Sequence, residues 1–122
     1  MDALILVSLL VNVLVAGALP FALLNGTSMD PAYGADSPAR RILACLYGAI
    51  AAASIIALLS VVILDKKDWL LGITAILLPF QCLYKLATWP AVGLHNPVVK
   101  ANLAIAALHL VTLGACADIL YG

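Results

Sequence analysis

Four long apolar stretches make up most of this chain, and each is about as long as a lipid bilayer is thick. They cover residues 3–24, 42–64, 69–89 and 98–121, and they predict helices over residues 3–24, 40–64, 68–89 and 97–121. A helix rises about 1.5 Å per residue, so about 20 residues cross a hydrocarbon core about 30 Å thick. Only helices or closed barrels pair every backbone polar group within lipid, and these stretches lack the alternation of barrel strands. They predict an all-α, integral membrane four-helix bundle, up-down-up-down with short loops, as one domain over residues 1–122.

The composition excludes several classes of protein. The chain is 66% hydrophobic and 10% charged, whereas a soluble domain carries about 25% charged residues. One membrane domain is therefore expected to account for all 122 residues. The net charge is zero, and no run of Lys and Arg could follow a nucleic-acid backbone, so nucleic-acid binding is excluded.

The three cysteines, Cys45, Cys82 and Cys116, are isolated from one another. Membrane proteins that exchange disulfides need closely spaced thiol pairs, so that class is excluded and each Cys is interpreted as a small packing residue. The sequence contains no specific catalytic or metal-binding motif. We therefore expect no enzyme activity, no catalytic residue, no metal site and no required cofactor.

Proline, serine and asparagine residues mark the predicted helix ends. Ser37 before Pro38 and Asn96 before Pro97 each form a capping residue followed by the residue type favoured at a first helical position. Pro20 is expected to kink the first helix near its end. The third helix is expected to stop at Trp89, because Pro90 follows it.

Lys85 is the most informative polar residue, because it lies within the third apolar stretch. A lysine at the centre of a spanning helix is costly, so its charge needs the interface or a partner. One interpretation is a lysine that extends its amine to the membrane interface, or pairs with Asp30 or Asp36, which lie on the same side of the membrane. The other is a cation at the mouth of a pocket, in contact with an acidic or quinone-like ligand.

His109 lies deep in the fourth helix. A neutral imidazole there can hydrogen-bond Asn12 or Ser8 on the first helix. It could instead ligate haem or the magnesium of a chlorophyll-type pigment, or bind a quinone carbonyl. A bis-histidine haem is disfavoured, because the other histidine, His95, lies in a loop.

Six polar residues are predicted to line a binding site for quinone or lipid between the first, third and fourth helices. They are Ser8, Asn12, Gln81, Lys85, Asn102 and His109. A bound lipid, quinone or pigment is the only cofactor that this arrangement suggests.

Small residues recur at intervals of four in the second helix. Ala44, Gly48 and Ala52 follow the small-xxx-small pattern that lets two membrane helices approach closely. We therefore predict a helix-packing face at these three positions.

The basic residues weakly favour one orientation. Arg40, Arg41 and Lys100 lie on the side of the first and third loops, and Lys66 and Lys67 lie on the other side. Cytoplasmic loops carry the excess of Lys and Arg, so the first and third loops are predicted to be cytoplasmic.

Three short segments resemble a known family. They are Tyr33-Gly34 before a loop, Ala39-Arg40-Arg41-Ile42-Leu43-Ala44 at the start of the second helix, and Tyr84-Lys85-Leu86 late in the third. In these segments and in its layout the chain resembles the DoxX-like small four-helix membrane proteins of bacteria. Some such proteins occur as membrane subunits beside oxidoreductases that use quinone. The resemblance implies a bacterial inner membrane, cytoplasmic or intracytoplasmic, and no catalytic residue.

The favoured function is a non-catalytic accessory subunit that packs onto a larger respiratory or photosynthetic membrane complex and stabilises it. Short loops offer no soluble active site, whereas Ala- and Leu-rich helices offer packing surface to a protein or to membrane lipids. The alternatives are a small quinone- or lipid-binding membrane protein, and an oligomeric transporter of small solutes.

Overall fold

The computed structural model describes residues 2–122, which are helical apart from short connections and contain no strand. The helices are α1 (Ala3–Leu24, with a π-helical segment at Asn12–Ala16), α2 (Asp30–Tyr33), α3 (Pro38–Leu64), α4 (Lys67–Val92), α5 (Pro97–Ala115) and α6 (Ala117–Tyr121). In this described part, α1, α3, α4 and α5 are long and apolar enough to cross a membrane.

Side-chain caps begin three of the long helices. The Asp2 carboxylate accepts the backbone N–H of Leu4 at 2.8 Å. The Ser37 hydroxyl accepts that of Arg40 at 3.2 Å, with Pro38 at the first helical position. These contacts satisfy N–H groups that have no partner within the helix. The predicted Ser37 cap is confirmed, and so is the Asn96 cap, whose side chain accepts from the backbone N–H of Val98 at 2.9 Å.

The ends of α4 and α5 differ from the sequence prediction. The prediction that the third helix stops at Trp89 is wrong, because α4 continues through Pro90 to Val92. Proline removes one backbone donor, and the next turn still closes when Gly93 N–H donates to the Trp89 carbonyl at 2.9 Å. Gly93 then ends the helix with a φ of 108°. The predicted 97–121 helix is broken at Cys116.

Two prolines inside the long helices, Pro79 and Pro20, each leave a backbone carbonyl without its usual hydrogen-bond donor. Pro79 has no N–H for the Ala75 carbonyl one turn earlier. The Tyr121 hydroxyl donates to that carbonyl at 2.7 Å, so α6 satisfies the group that Pro79 frees. Pro20 likewise leaves the Ala16 carbonyl without its usual donor, and Ala16 is the last residue of the π-helical segment in α1.

Small residues bring α1 close to α3, although one predicted position is wrong. Ala44 is buried, and a Cβ added to Gly48 would lie 3.9 Å from Cγ of Pro20. Ala52 is exposed, and its neighbour Ala51 packs beneath Gly17 instead. Four residues turn a helix by about 40° more than a full circle, so two such steps carry a side chain off the packing face.

The interior is unusually polar, and the exterior is apolar. Eleven polar or charged residues are buried in the described part of the chain. Large apolar side chains face outward along every long helix; Phe21 is 74% exposed and Val62 is 80% exposed. The apolar interior forms two clusters. Ala16, Leu23, Ala44, Tyr47, Ile50 and Ala51 form one, and Ile5, Leu9, Ala57, Leu70 and Cys116 form the other.

Candidate ligand cavity

A cavity of about 180 Å³ lies where α2, α3, α4 and α5 meet, beside the first and third loops. Its walls are mainly apolar, with hydroxyl and amide groups at a few positions. We call it the tyrosine cavity, and its lining residues are Ala32, Tyr33, Leu43, Tyr47, Tyr84, Thr88, Val92, Asn96, Val98, Val99 and Asn102. A cavity of about 150 Å³ holds a benzene ring, so this space suits one six-membered ring or a small head group.

Three tyrosines from three helices provide three of its hydroxyl groups, and Thr88 provides a fourth. The hydroxyls of Tyr33 and Tyr47 lie 2.9 Å apart, and their rings meet edge to face at 6.3 Å between centroids. Burial, reinforced by the hydrogen bond with Tyr47, raises the pKa of Tyr33 above its usual value, so its hydroxyl stays protonated at neutral pH. The Tyr84 hydroxyl is buried and has no hydrogen-bond partner among residues 2–122.

Lys85 lies behind the cavity wall and is only 5% exposed. Its Nζ donates to Oδ1 of Asn102 at 3.1 Å and lies 5.1 Å from the centroid of the Tyr84 ring. Asn102 in turn donates from Nδ2 to the Thr88 hydroxyl at 3.4 Å. Within the described part of the chain no carboxylate lies within ion-pair distance of Lys85.

The predicted ion pair of Lys85 with Asp30 or Asp36 is wrong. Asp30 pairs with Arg40 at 2.5 Å, and Asp36 pairs with Arg41 at 2.7 Å. Both arginines lie in the first turn of α3, and Asp30 and Asp36 come shortly before it in the chain, so each arginine reaches a carboxylate that is close to it in the sequence. Asp30 and Asp36 are therefore paired with arginines and do not balance the charge of Lys85.

Arg40 fixes the segment that covers the cavity. Arg40 is charged but only 3% exposed. Its Nε donates to the Leu23 carbonyl at 3.1 Å. Its Nη1 donates to the Gly34 carbonyl at 2.6 Å and to the Asp30 carboxylate. It therefore joins the end of α1 to the end of α2. From the third loop, Asn96 donates through Nδ2 to the Ala32 carbonyl at 2.8 Å.

The six residues predicted to line one site occupy several places. Asn102 lines the tyrosine cavity, and Lys85 contacts it from behind. The other four residues are more deeply buried. Ser8 shares a 2.7 Å hydrogen bond with Thr112, and Asn12 shares one of 3.1 Å with His109. Gln81 is 1% exposed, and its amide nitrogen has no hydrogen-bond partner among the described residues.

His109 forms the hydrogen bond with Asn12 that was one of the interpretations of the sequence. Its Nε2 lies 3.1 Å from Oδ1 of Asn12, which makes Nε2–H the donor. A metal or pigment at Nε2 would have to displace Asn12. Nδ1 is buried and has no hydrogen-bond partner in residues 2–122, and no group of three or more potential metal ligands occurs in that part of the chain.

Sequence reasoning missed most of the cavity. Tyr47 and Tyr84 lie in apolar stretches and pass for packing residues, and Asn96 was interpreted only as a cap. One signal was available: the predicted topology places Tyr33 and Tyr84 at the same end of the four helices as Lys85. The chain matches no known protein-family model, and neither a curated protein nor a solved structure is significantly similar to it. The DoxX-like resemblance stays a prediction.

Proposed function

We propose that the four long helices cross a bacterial inner membrane as an up-down-up-down bundle, with the tyrosine cavity facing the cytoplasm. The distribution of side chains supports this, because polar groups bond to one another inside while large apolar groups face outward. Water would favour the reverse arrangement, whereas lipid favours this one. The surplus of basic residues near the first and third loops supports the orientation.

We propose further that the tyrosine cavity binds the head group of a small lipid-soluble molecule, such as a quinone ring or the polar end of a lipid. The observation that carries this is the Tyr84 hydroxyl, which is buried beside the cavity without a partner. A buried polar group without a hydrogen bond costs about 1–3 kcal/mol. A ligand oxygen that accepted a hydrogen bond from the Tyr84 hydroxyl would remove this cost.

The apolar walls support the same function. Leu43, Val92, Val98 and Val99 surround the hydroxyl groups and would contact the apolar body of the ligand. Binding pockets for small molecules have this composition, with a few polar groups that fix orientation in an apolar surrounding. The sequence favoured an accessory subunit, and the cavity favours the ligand-binding alternative instead.

The test is to purify the protein in mild detergent, release bound molecules in organic solvent and identify them by mass spectrometry. Ala32→Phe places a ring in the cavity without removing a polar contact, and Ala35→Phe adds the same ring outside it. We expect one molecule per chain with wild type and Ala35→Phe, and its loss with Ala32→Phe. Equal recovery of that molecule from all three proteins contradicts the proposal.

An accessory-subunit function is the second candidate, and a separate observation favours it. An apolar groove of about 380 Å³ on the outer face of α3 and α4 could hold a helix of a larger respiratory or photosynthetic complex. Its lining residues are Ala53, Ile73, Ile76, Leu77 and Phe80. Ala53→Trp should release such a complex from the tagged chain in a mild-detergent pull-down, whereas Ala87→Trp, at an exposed site, should not. Recovery of the chain alone in every case contradicts this function.

A further inference from the structure

We propose that the molecule held in the tyrosine cavity is an anion, with its negative head group beside Tyr84 and Asn102 and its charge balanced by Lys85. This rests on the proposed ligand-binding function and specifies its ligand class. The starting point is that Lys85 is buried without a carboxylate among the described residues, while Asp30 and Asp36 are bound by arginines.

The hydrogen-bonding capacity of Lys85 is mostly unused. An ammonium group has three N–H donors, and Oδ1 of Asn102 is its acceptor in the described structure. A charge of this kind in an apolar surrounding is costly unless an opposite charge lies nearby. An anion in the adjoining cavity would supply that charge from across the Asn102 side chain.

The side-chain amide and threonine oxygens of the cavity wall are already hydrogen-bonded. Oδ1 of Asn96 caps α5 through Val98, and Oδ1 of Asn102 accepts from Lys85. The Thr88 hydroxyl donates to the Lys85 carbonyl at 2.5 Å and accepts from Asn102. Apart from the tyrosine oxygens, a ligand that needs to donate hydrogen bonds would therefore find these acceptors already bonded to other groups.

Donors, in contrast, remain available. The Tyr84 hydroxyl has no partner, and within the Tyr33–Tyr47 pair one hydroxyl donates to the other, so the accepting hydroxyl keeps its own hydrogen. A wall rich in donors and backed by a cation recognises an acceptor-rich, negatively charged group. A carboxylate meets this requirement, and so does the phosphate of an anionic phospholipid.

The test measures binding of radiolabelled dodecanoate and dodecanol to the full chain in phosphatidylcholine nanodiscs at pH 8. The two probes share a chain length and differ in the charge of the head group. We expect wild type to bind dodecanoate at least about tenfold more tightly, the usual effect of a hydrogen-bonded charge. Equal affinity for the two probes overturns the proposal, and this comparison depends on no variant.

Two lysine variants locate the charge. Lys85→Gln should reduce the preference for dodecanoate to within about twofold, whereas Lys100→Gln, at an exposed lysine on the same side, should keep it. Size-exclusion chromatography and circular dichroism check that both variants are folded. An equal loss in both variants would mean that the membrane surface, rather than Lys85, selects the anion, and would overturn the assignment.

Two further measurements identify the source of the anion and distinguish a failure of the anion inference from a failure of the ligand-binding function. Displacement of dodecanoate by phosphatidylglycerol in the nanodisc identifies an anionic phospholipid as the occupant, and its persistence identifies a free carboxylic acid. If the neutral quinone menadione binds and dodecanoate does not, the ligand-binding function stands and the anion inference fails. If the wild type binds none of these molecules, both fail.

Discussion

Asn12 and His109 are 97 positions apart in the chain and share a 3.1 Å hydrogen bond inside the protein. The contact joins α1 to α5 at a depth where neither side chain reaches water. Together with the 2.7 Å bond between Ser8 and Thr112, it makes a polar seam between the first and last long helices. Such bonds fix the pairing of helices in lipid, where apolar burial provides no preference.

Asn12→Ala should therefore lower the free energy of unfolding in detergent micelles by about 0.6–1.7 kcal/mol, because it leaves Nε2 of His109 unpaired. Ser54→Ala should cost less, since the Ser54 hydroxyl bonds only to the Ile50 carbonyl of its own helix. Denaturant titration by circular dichroism measures both. Additive effects of Asn12→Ala and His109→Ala in the double variant would show that the bond has no energetic role.

Arg40→Ala should destabilise the protein by about 1–3 kcal/mol, because three acceptors, one at the end of α1 and two at the ends of α2, lose their donor. The effect should be largest in residues 25–37, which become accessible to protease. Arg41→Ala is the matched control, since its pair with Asp36 is solvent-exposed and should contribute much less stability than the contacts of Arg40. Equal protease sensitivity of the two variants would contradict the role given to Arg40.

Gly48→Leu should weaken the contact between α1 and α3 by about 1–3 kcal/mol, because the larger side chain meets Pro20. Gly48→Ala should be tolerated, since its added Cβ lies at ordinary contact distance. Ala52→Leu places the same side chain at an exposed site and should be neutral. Thermal unfolding in micelles compares the three, and a loss with Ala52→Leu as large as that with Gly48→Leu would mean that the packing face is wrongly placed.

Asp36 offers a pH test outside the membrane. Its hydrogen bond with Arg41 is the main cause that lowers the pKa of this carboxyl group below 3.8 in the folded protein. A depressed folded pKa contributes stability above the unfolded value, and that contribution disappears as the pH falls through the folded value. Carbon NMR of the carboxyl group should show its pKa rise in Arg41→Gln. An unchanged pKa in that variant would exclude Arg41 as the cause.

The sequence predicted the local features well, because each depends on few neighbours. The bounds of α1 follow from its length and hydrophobicity, the Ser37 and Asn96 caps follow from adjacent residues, and Asn12 was one of two partners suggested for His109. The partner of Lys85 was predicted wrongly, since lying on one side of the membrane does not decide which cation reaches Asp30.

The tyrosine cavity could not be predicted from local sequence patterns. Tyr33, Tyr47 and Tyr84 come from separate helices, and a void between them depends on how those helices pack rather than on any one pattern. The same limit applies to Ala52, whose spacing fits a packing motif while the rotation of α3 turns it outward.

The most direct test of the account is which side of the membrane each loop faces, because Tyr33 and Asn96 can close one cavity only if their segments lie on the same side. Single cysteines at Ala35, Lys66 and Leu94, in a background without the native thiols, can be labelled with an impermeant maleimide. We predict that Ala35→Cys and Leu94→Cys react from the cytoplasmic side and that Lys66→Cys reacts from the opposite side. Labelling of positions 35 and 94 from opposite sides, or of 35 and 66 from the same side, would contradict the four crossings and the cavity together.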